Sequence, residues 1–128
     1  MRSMSTVRKM LALVFVLCMM AAPAFAADPI RIGEIATVTG DFAAYGVAEV
    51  ESVKIAVAEI NAAGGILGRP VEVIMYDCRT RQEDMVNAAR RLVEQDKVSV
   101  VIGPSGSGLC IAAAPVFNRA KVPHIGTL

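Results

Sequence analysis

The sequence predicts an α/β fold built as a doubly wound parallel sheet. Three observations predict it. Short apolar runs alternate with longer stretches whose apolar residues recur at three- and four-residue steps. Glycines punctuate the changeovers between the two patterns. The run Val98–Ile102 (VSVVI) is almost wholly apolar, the composition of a strand covered on both faces of a parallel sheet.

The elements follow in order. Ile30–Ala36 (IRIGEIA) alternates and then turns apolar, so it reads as a strand. Thr37–Gly46 reads as a loop, with Gly40, Asp41 and Gly46. Val47, Val50, Val53, Val57 and Ile60 then form the apolar stripe of a helix that stops at Gly64-Gly65. Val71–Tyr76 (VEVIMY) is a second strand. Thr80 with Glu83 three residues later matches a capping box, which opens a helix carrying Met85, Ala89 and Leu92 on one face and ending near Asp96. The apolar run Val98–Ile102 is the third strand, Gly103–Gly108 a glycine-serine turn, and Leu109–Ala120 a third helix. Val122–Gly126 begins a fourth strand. Strands alternating with helices imply parallel strands joined by right-handed crossovers. Ligands of such sheets bind beyond the carboxyl ends of the strands. The candidate site therefore lies in the loops Thr37–Gly46, Asp77–Thr80 and Gly103–Gly108.

The first residues carry a different signal. Arg2, Arg8 and Lys9 precede the apolar run Met10–Ala22, and Ala24-Phe25-Ala26 follows it. A basic start, a short apolar run and an A-x-A end make a secretory signal peptide, residues 1–26, cleaved after Ala26. The competing reading is a transmembrane anchor, but the run is short for a bilayer and Pro23 interrupts its end. Cys18 follows Leu17, where a lipoprotein signal wants a small residue, so lipidation is not expected. Cleavage predicts a periplasmic protein. The whole chain has 13 basic and 12 acidic residues. Removing the three basic residues of the signal leaves ten against twelve, near −2, with no case for nucleic acid. Residues 27–128 suffice for one small domain and no more. Cys78 and Cys110 remain. An oxidising compartment admits a disulfide between them, and two buried free thiols are the other reading.

The chemistry in the loops is that of binding. Gly103-Pro104-Ser105-Gly106-Ser107-Gly108 sets two hydroxyls and free N–H groups just before a helix, an arrangement suited to a ligand carboxylate. A plain strand-to-helix turn with Ser107 as N-cap explains the same residues. Tyr45 offers an aromatic wall, or is simply a loop aromatic. Catalytic patterns fail. The turn lacks the last glycine of a G-x-S-x-G elbow and matches no phosphate-binding glycine loop. His124, the one histidine, has no plausible nucleophile partner, and the cysteine spacing fits neither zinc nor a C-x-x-C motif. No catalytic residue, metal site or cofactor is predicted, so the chain is not read as an enzyme.

Thr39-Gly40-Asp41-Phe42-Ala43-Ala44-Tyr45-Gly46 and Glu59-Ile60-Asn61-Ala62-Ala63-Gly64-Gly65-Ile66-Leu67-Gly68-Arg69-Pro70-Val71, continued by Tyr76-Asp77, Leu92-Val93, Val101-Ile102-Gly103 and Val122-Pro123, resemble the N-terminal lobe of type I periplasmic binding proteins. The leucine/isoleucine/valine-binding protein family is the group it is most similar to, over residues 30–126. The resemblance implies two α/β lobes joined by a hinge, closing on an amino acid or a related amide or acid. It implies a partner, the ABC permease in the inner membrane, for the full-length protein. It sets Ser107 where the family places a hydroxyl on the ligand α-carboxylate, Ser105 beside it, and Tyr45 at an aromatic lining the side-chain pocket. Family members run to several hundred residues, so residues 27–128 read as the N-terminal part of the first lobe, a fragment lacking the second lobe. The sensor domain of a receptor is the alternative use of the same fold.

Overall fold

The computed structural model describes residues 28–127. The signal-peptide reading of residues 1–26 lies outside them. Seven elements alternate as expected: β1 (Ile30–Ala36), α1 (Ala43–Ala62), β2 (Val71–Asp77), α2 (Gln82–Glu94), β3 (Val100–Ser105), α3 (Ser107–Ala120) and β4 (His124–Thr127). All four strands are parallel, in the order β2-β1-β3-β4. The chain steps outward from β1 to β2 and then crosses back to β3 on the other side of β1. The order therefore reverses between β1 and β3, which is where an open α/β sheet forms a crevice.

The two faces of the sheet are unequally covered. On one face α2 and α3 bury Met85, Ala89, Leu92, Leu109, Ala113 and Phe117 against Ile35 and Val101. The spacing in α2 (Met85, Ala88, Ala89, Leu92) and in α3 (Leu109, Ala113, Phe117) keeps these side chains on one stripe of each helix. Gly33 permits this packing, because a Cβ there would stand 2.8 Å from Leu92 Cδ1. On the other face α1 buries only Gly46 and Val50. Its valine stripe is present, but Val53 and Val57 are half-buried and Ile55 is 61% exposed. β1 sends the carboxyl of Glu34 to this thinly covered face, beside Val50, Val53 and Lys54.

The helix stop works through backbone and side chain together. Gly64 and Gly65 take φ of 98° and 78°, a region that favours glycine, and Gly65 N–H donates to Ile60 O at 2.9 Å. Asn61 then clamps the helix end to the sheet. Its Nδ2 donates to Val71 O at 2.9 Å, and its Oδ1 accepts from Val71 N–H at 2.8 Å.

Several boundaries move, each for a local reason. α1 starts at Ala43, so Tyr45 and Gly46 are helical and the preceding loop is Thr37–Phe42. Gly46 lies against the backbone of Thr37, where a Cβ would overlap main-chain atoms. β3 runs on through Pro104 to Ser105. Thr80 is not the cap of α2. Its φ is 58°, and its hydroxyl accepts from Phe42 N–H (3.3 Å) and donates to Thr39 O (3.4 Å). Arg81 takes the cap position with no side-chain cap. Gly106 replaces Ser107 at the cap of α3, and Ser107 opens the helix.

Cys78 and Cys110 are free thiols, so the disulfide admitted by the sequence is not formed. Cys78 follows β2 at one edge of the sheet and is buried in the core. Cys110 Sγ faces β4 at the other edge, where a Cβ at Gly126 would lie 2.8 Å from it. Three strand spacings, roughly 14 Å, separate those edges. A disulfide needs Cα atoms within about 7 Å. Burial raises the pKa of both thiols, with the carboxylate of Glu49 adding to the effect at Cys110.

Candidate ligand cleft at the switch point

A cleft of about 870 Å³ opens where the carboxyl ends of β1 and β3 diverge. One wall is the first turns of α1, with Phe42, Ala44, Tyr45 and Ala48. The other is Ser105, Gly106 and Ser107, the passage from β3 into α3. All three sequence-predicted site residues, Tyr45, Ser105 and Ser107, thus line one cavity. Tyr45 stands 67% exposed, its ring edge-on to Phe42 with centroids 6.4 Å apart and planes at 75°. An edge-to-face pair of this kind holds both rings as an apolar surface. The opposing wall is polar. At the start of α3 the first N–H groups have no partner within the helix, and Leu109 and Cys110 N–H donate back to Gly106 O at 3.1 and 3.2 Å. Gly106 has φ of 129°, which turns the chain sharply from strand into helix.

The Asp77–Thr80 loop does not line the cleft. It braces the β1–α1 loop instead. Asp77 Oδ2 accepts from the Thr39 hydroxyl at 2.5 Å, and Oδ1 accepts from Arg79 N–H at 2.9 Å. Burial alone would raise the Asp77 pKa, but these bonds and those from the Thr39 and Val38 backbone outweigh it and hold the carboxyl below its ordinary value. His124 is likewise structural. Its Nε2–H donates to Gly103 O at 2.6 Å, and its ring lies 4.5 Å from that of Phe117.

One group near the cleft escaped the sequence analysis. Glu49, one turn beyond Tyr45, turns its carboxylate inward between the ends of β3 and β4. It accepts from the Ser105 hydroxyl at 3.3 Å and from the Thr127 hydroxyl at 2.8 Å. Glu49 sits off the valine stripe, where a charge reads as solvated. Only the bond partners, 56 and 78 residues away, mark it as inward-facing.

A family model described as periplasmic binding protein matches residues 29–128. The chain belongs to this family. Among curated relatives, the Leu/Ile/Val-binding protein homolog 7 of Brucella suis is 31% identical over 109 residues, 85% of this chain and 27% of the relative. The Leu/Ile/Val-binding protein BraC3 of Rhizobium johnstonii is 40% identical over 101 residues, 79% of this chain and 27% of that protein. Among solved structures, the branched-chain amino acid transporter substrate-binding protein LivJ of Streptococcus pneumoniae, in complex with isoleucine, superposes with a TM-score of 0.75 at 42% identity. That match covers 77% of this chain and 28% of LivJ. An ABC transporter solute-binding protein of Rhodopseudomonas palustris, in complex with 3,4-dihydroxybenzoic acid, superposes with a TM-score of 0.69 at 28% identity, over 77% of this chain and 26% of that one. The chain spans about a quarter of the length of the relatives it matches. Members of this family are substrate-binding proteins.

Proposed function

We propose that this chain serves as the periplasmic substrate-binding component of an ABC importer for branched-chain amino acids or similar small solutes. Residues 27–128 supply the N-terminal part of the first ligand-binding lobe, and residues 1–26 direct export and are cleaved. The protein captures its ligand between two lobes without chemical change and presents it to a permease in the inner membrane. The observation that carries this reading is the cleft itself. An aromatic wall at Tyr45 faces a hydroxyl and free helix N–H groups at Ser107 across one cavity at the switch point. An apolar side chain fits the first wall, and a carboxylate fits the second. The isoleucine bound by the pneumococcal relative supports a branched-chain ligand, and the aromatic acid bound by the Rhodopseudomonas relative widens the class to small carboxylates.

The test is isothermal calorimetry of the native gene product with leucine, isoleucine, valine and 3,4-dihydroxybenzoate. Saturable binding of one of these is expected, weakened about tenfold or more by Ser107→Ala, the size of one hydrogen bond to a charged group. Tyr45→Ala weakens the same ligand by removing apolar contact. Absence of binding across the panel, or binding indifferent to both substitutions, refutes the reading.

A further inference from the structure

A second cavity, of about 370 Å³, lies on the thinly covered face between α1 and the edge strand β2. Its apolar walls include Val53 and Val57 of α1 and Val73 and Met75 of β2, and Glu34 of β1 lines it as well. The parallel register pairs Glu34 with Met75, so the two side chains share the face that α1 crosses. Met75 is 40% exposed and both α1 valines are half-buried, so solvent reaches the walls. Glu34 is the opposite case. It is buried, and its Oε1 has no hydrogen-bond partner among the described residues. A buried carboxylate without a donor bears its full desolvation cost, and buried polar groups are rarely left so. The charged neighbours do not relieve it. Lys54 lines the cavity, but its Nζ donates to Glu51 Oε1 at 2.7 Å and its side chain is largely exposed. Glu49 adds negative charge beside Glu34, and its own oxygens accept from Ser105 and Thr127. The cavity thus joins apolar walls to a buried acceptor that a second carboxylate makes more negative.

We infer that this cavity is a second binding site, separate from the ligand cleft, for a short-chain primary alkylammonium. The ammonium donates to Glu34 Oε1, and the alkyl chain lies between the valines and Met75. Val53 and Val57 stand one helical turn apart, about 6 Å along the axis, and Val73 and Met75 about 7 Å apart along the strand. A chain of about five carbons spans both walls. A ligand that also carries a carboxylate is disfavoured, because it brings like charge to Glu34 and Glu49. The site therefore selects against the amino acids proposed for the cleft, and the inference does not depend on that reading.

The probes are n-pentylammonium and 1-pentanol, which share a chain and differ in charge. Each is titrated at pH 7.5 into the isotopically labelled native gene product, and binding is read residue by residue from NMR chemical shifts. Saturable shifts are expected at Val53, Val57 and Met75, with the ammonium bound about tenfold or more tighter than the alcohol. Glu34→Gln keeps the shape and removes the charge, so it should bring the two affinities close together. Val57→Phe fills the cavity and should weaken both probes. Shifts confined to Tyr45 and Ser107 would place the amine in the cleft and overturn the inference. So would the absence of saturable shifts at the cavity residues, or an unaltered ratio in Glu34→Gln. If Glu34→Gln does not fold, as judged by circular dichroism, Val57→Phe decides the matter, and unchanged affinities in that variant overturn the inference.

Discussion

Glu34 is the residue whose perturbation has the most calculable outcome. It sits in β1 with 1% of its surface exposed, and its Oε1 has no hydrogen-bond partner among the described residues. Burial, reinforced by the neighbouring Glu49 charge and opposed by Lys54, raises its pKa from 4.5 to about 6. A carboxyl whose folded pKa is raised favours the folded state fully below the unfolded value. That contribution disappears as pH rises through the folded value. A shift of about 1.5 pH units corresponds to about 2 kcal/mol, so above pH 7 ionised Glu34 destabilises the fold by that amount. Glu34→Gln keeps the shape and cannot ionise. Thermal unfolding of both proteins, followed by circular dichroism between pH 4.5 and 7.5, checks this. The variant should match the wild type at the acid end and gain progressively above it. At pH 7.5 the gain in Tm should be about 8 °C or more, since 1 kcal/mol moves a domain of this size by roughly 4–8 °C. A difference in Tm that does not change with pH would show that Glu34 is not ionising inside the fold, and the reasoning would fail.

Asn61→Ala removes both hydrogen bonds to Val71 and should cost about 1–3 kcal/mol, read as a lowered urea midpoint. Asp77 has the opposite sign from Glu34. Its pKa is depressed, so its contribution is present above the ordinary value of 3.8 and is lost as pH falls through the lower folded value. Asp77→Asn should therefore be less stable than wild type at pH 7, with the gap closing in strong acid, as thermal unfolding at the two pH values will show. In denaturant without reductant, both Cys78 and Cys110 should be alkylated to completion, as peptide mass mapping can verify. Protection of the pair until reduction would contradict the free thiols seen here.

Much of this protein was legible in its sequence because the signals are local. Apolar periodicity, the continuous apolar run Val98–Ile102 and the glycine-serine turn after it located the strands and helices, and the glycine pair at Gly64-Gly65 marked the end of α1 because a left-handed backbone favours glycine. The alternation of elements implied a parallel sheet, and the general behaviour of such sheets directed attention to the loops that contain Tyr45, Ser105 and Ser107. The boundaries that moved depend on distant partners. Thr80 has the local credentials of a helix cap, yet its hydroxyl is used by Phe42 and Thr39, some forty residues away. The strand order β2-β1-β3-β4 is likewise a property of the assembled sheet. It separates Cys78 from Cys110, and it brings the ends of β1 and β3 together as the walls of a single cleft.

What the sequence determined by itself, then, was the set of elements, their parallel sense and the residue types available at the strand ends. Tertiary structure alone decided which of those residues meet. Periodicity reports which side of an element is apolar, but not which polar group from another element lies opposite. That is why Glu34 and Glu49, both ordinary carboxylates in the sequence, become a buried acid with a raised pKa and the partner of Ser105 only once α1 lies across the sheet.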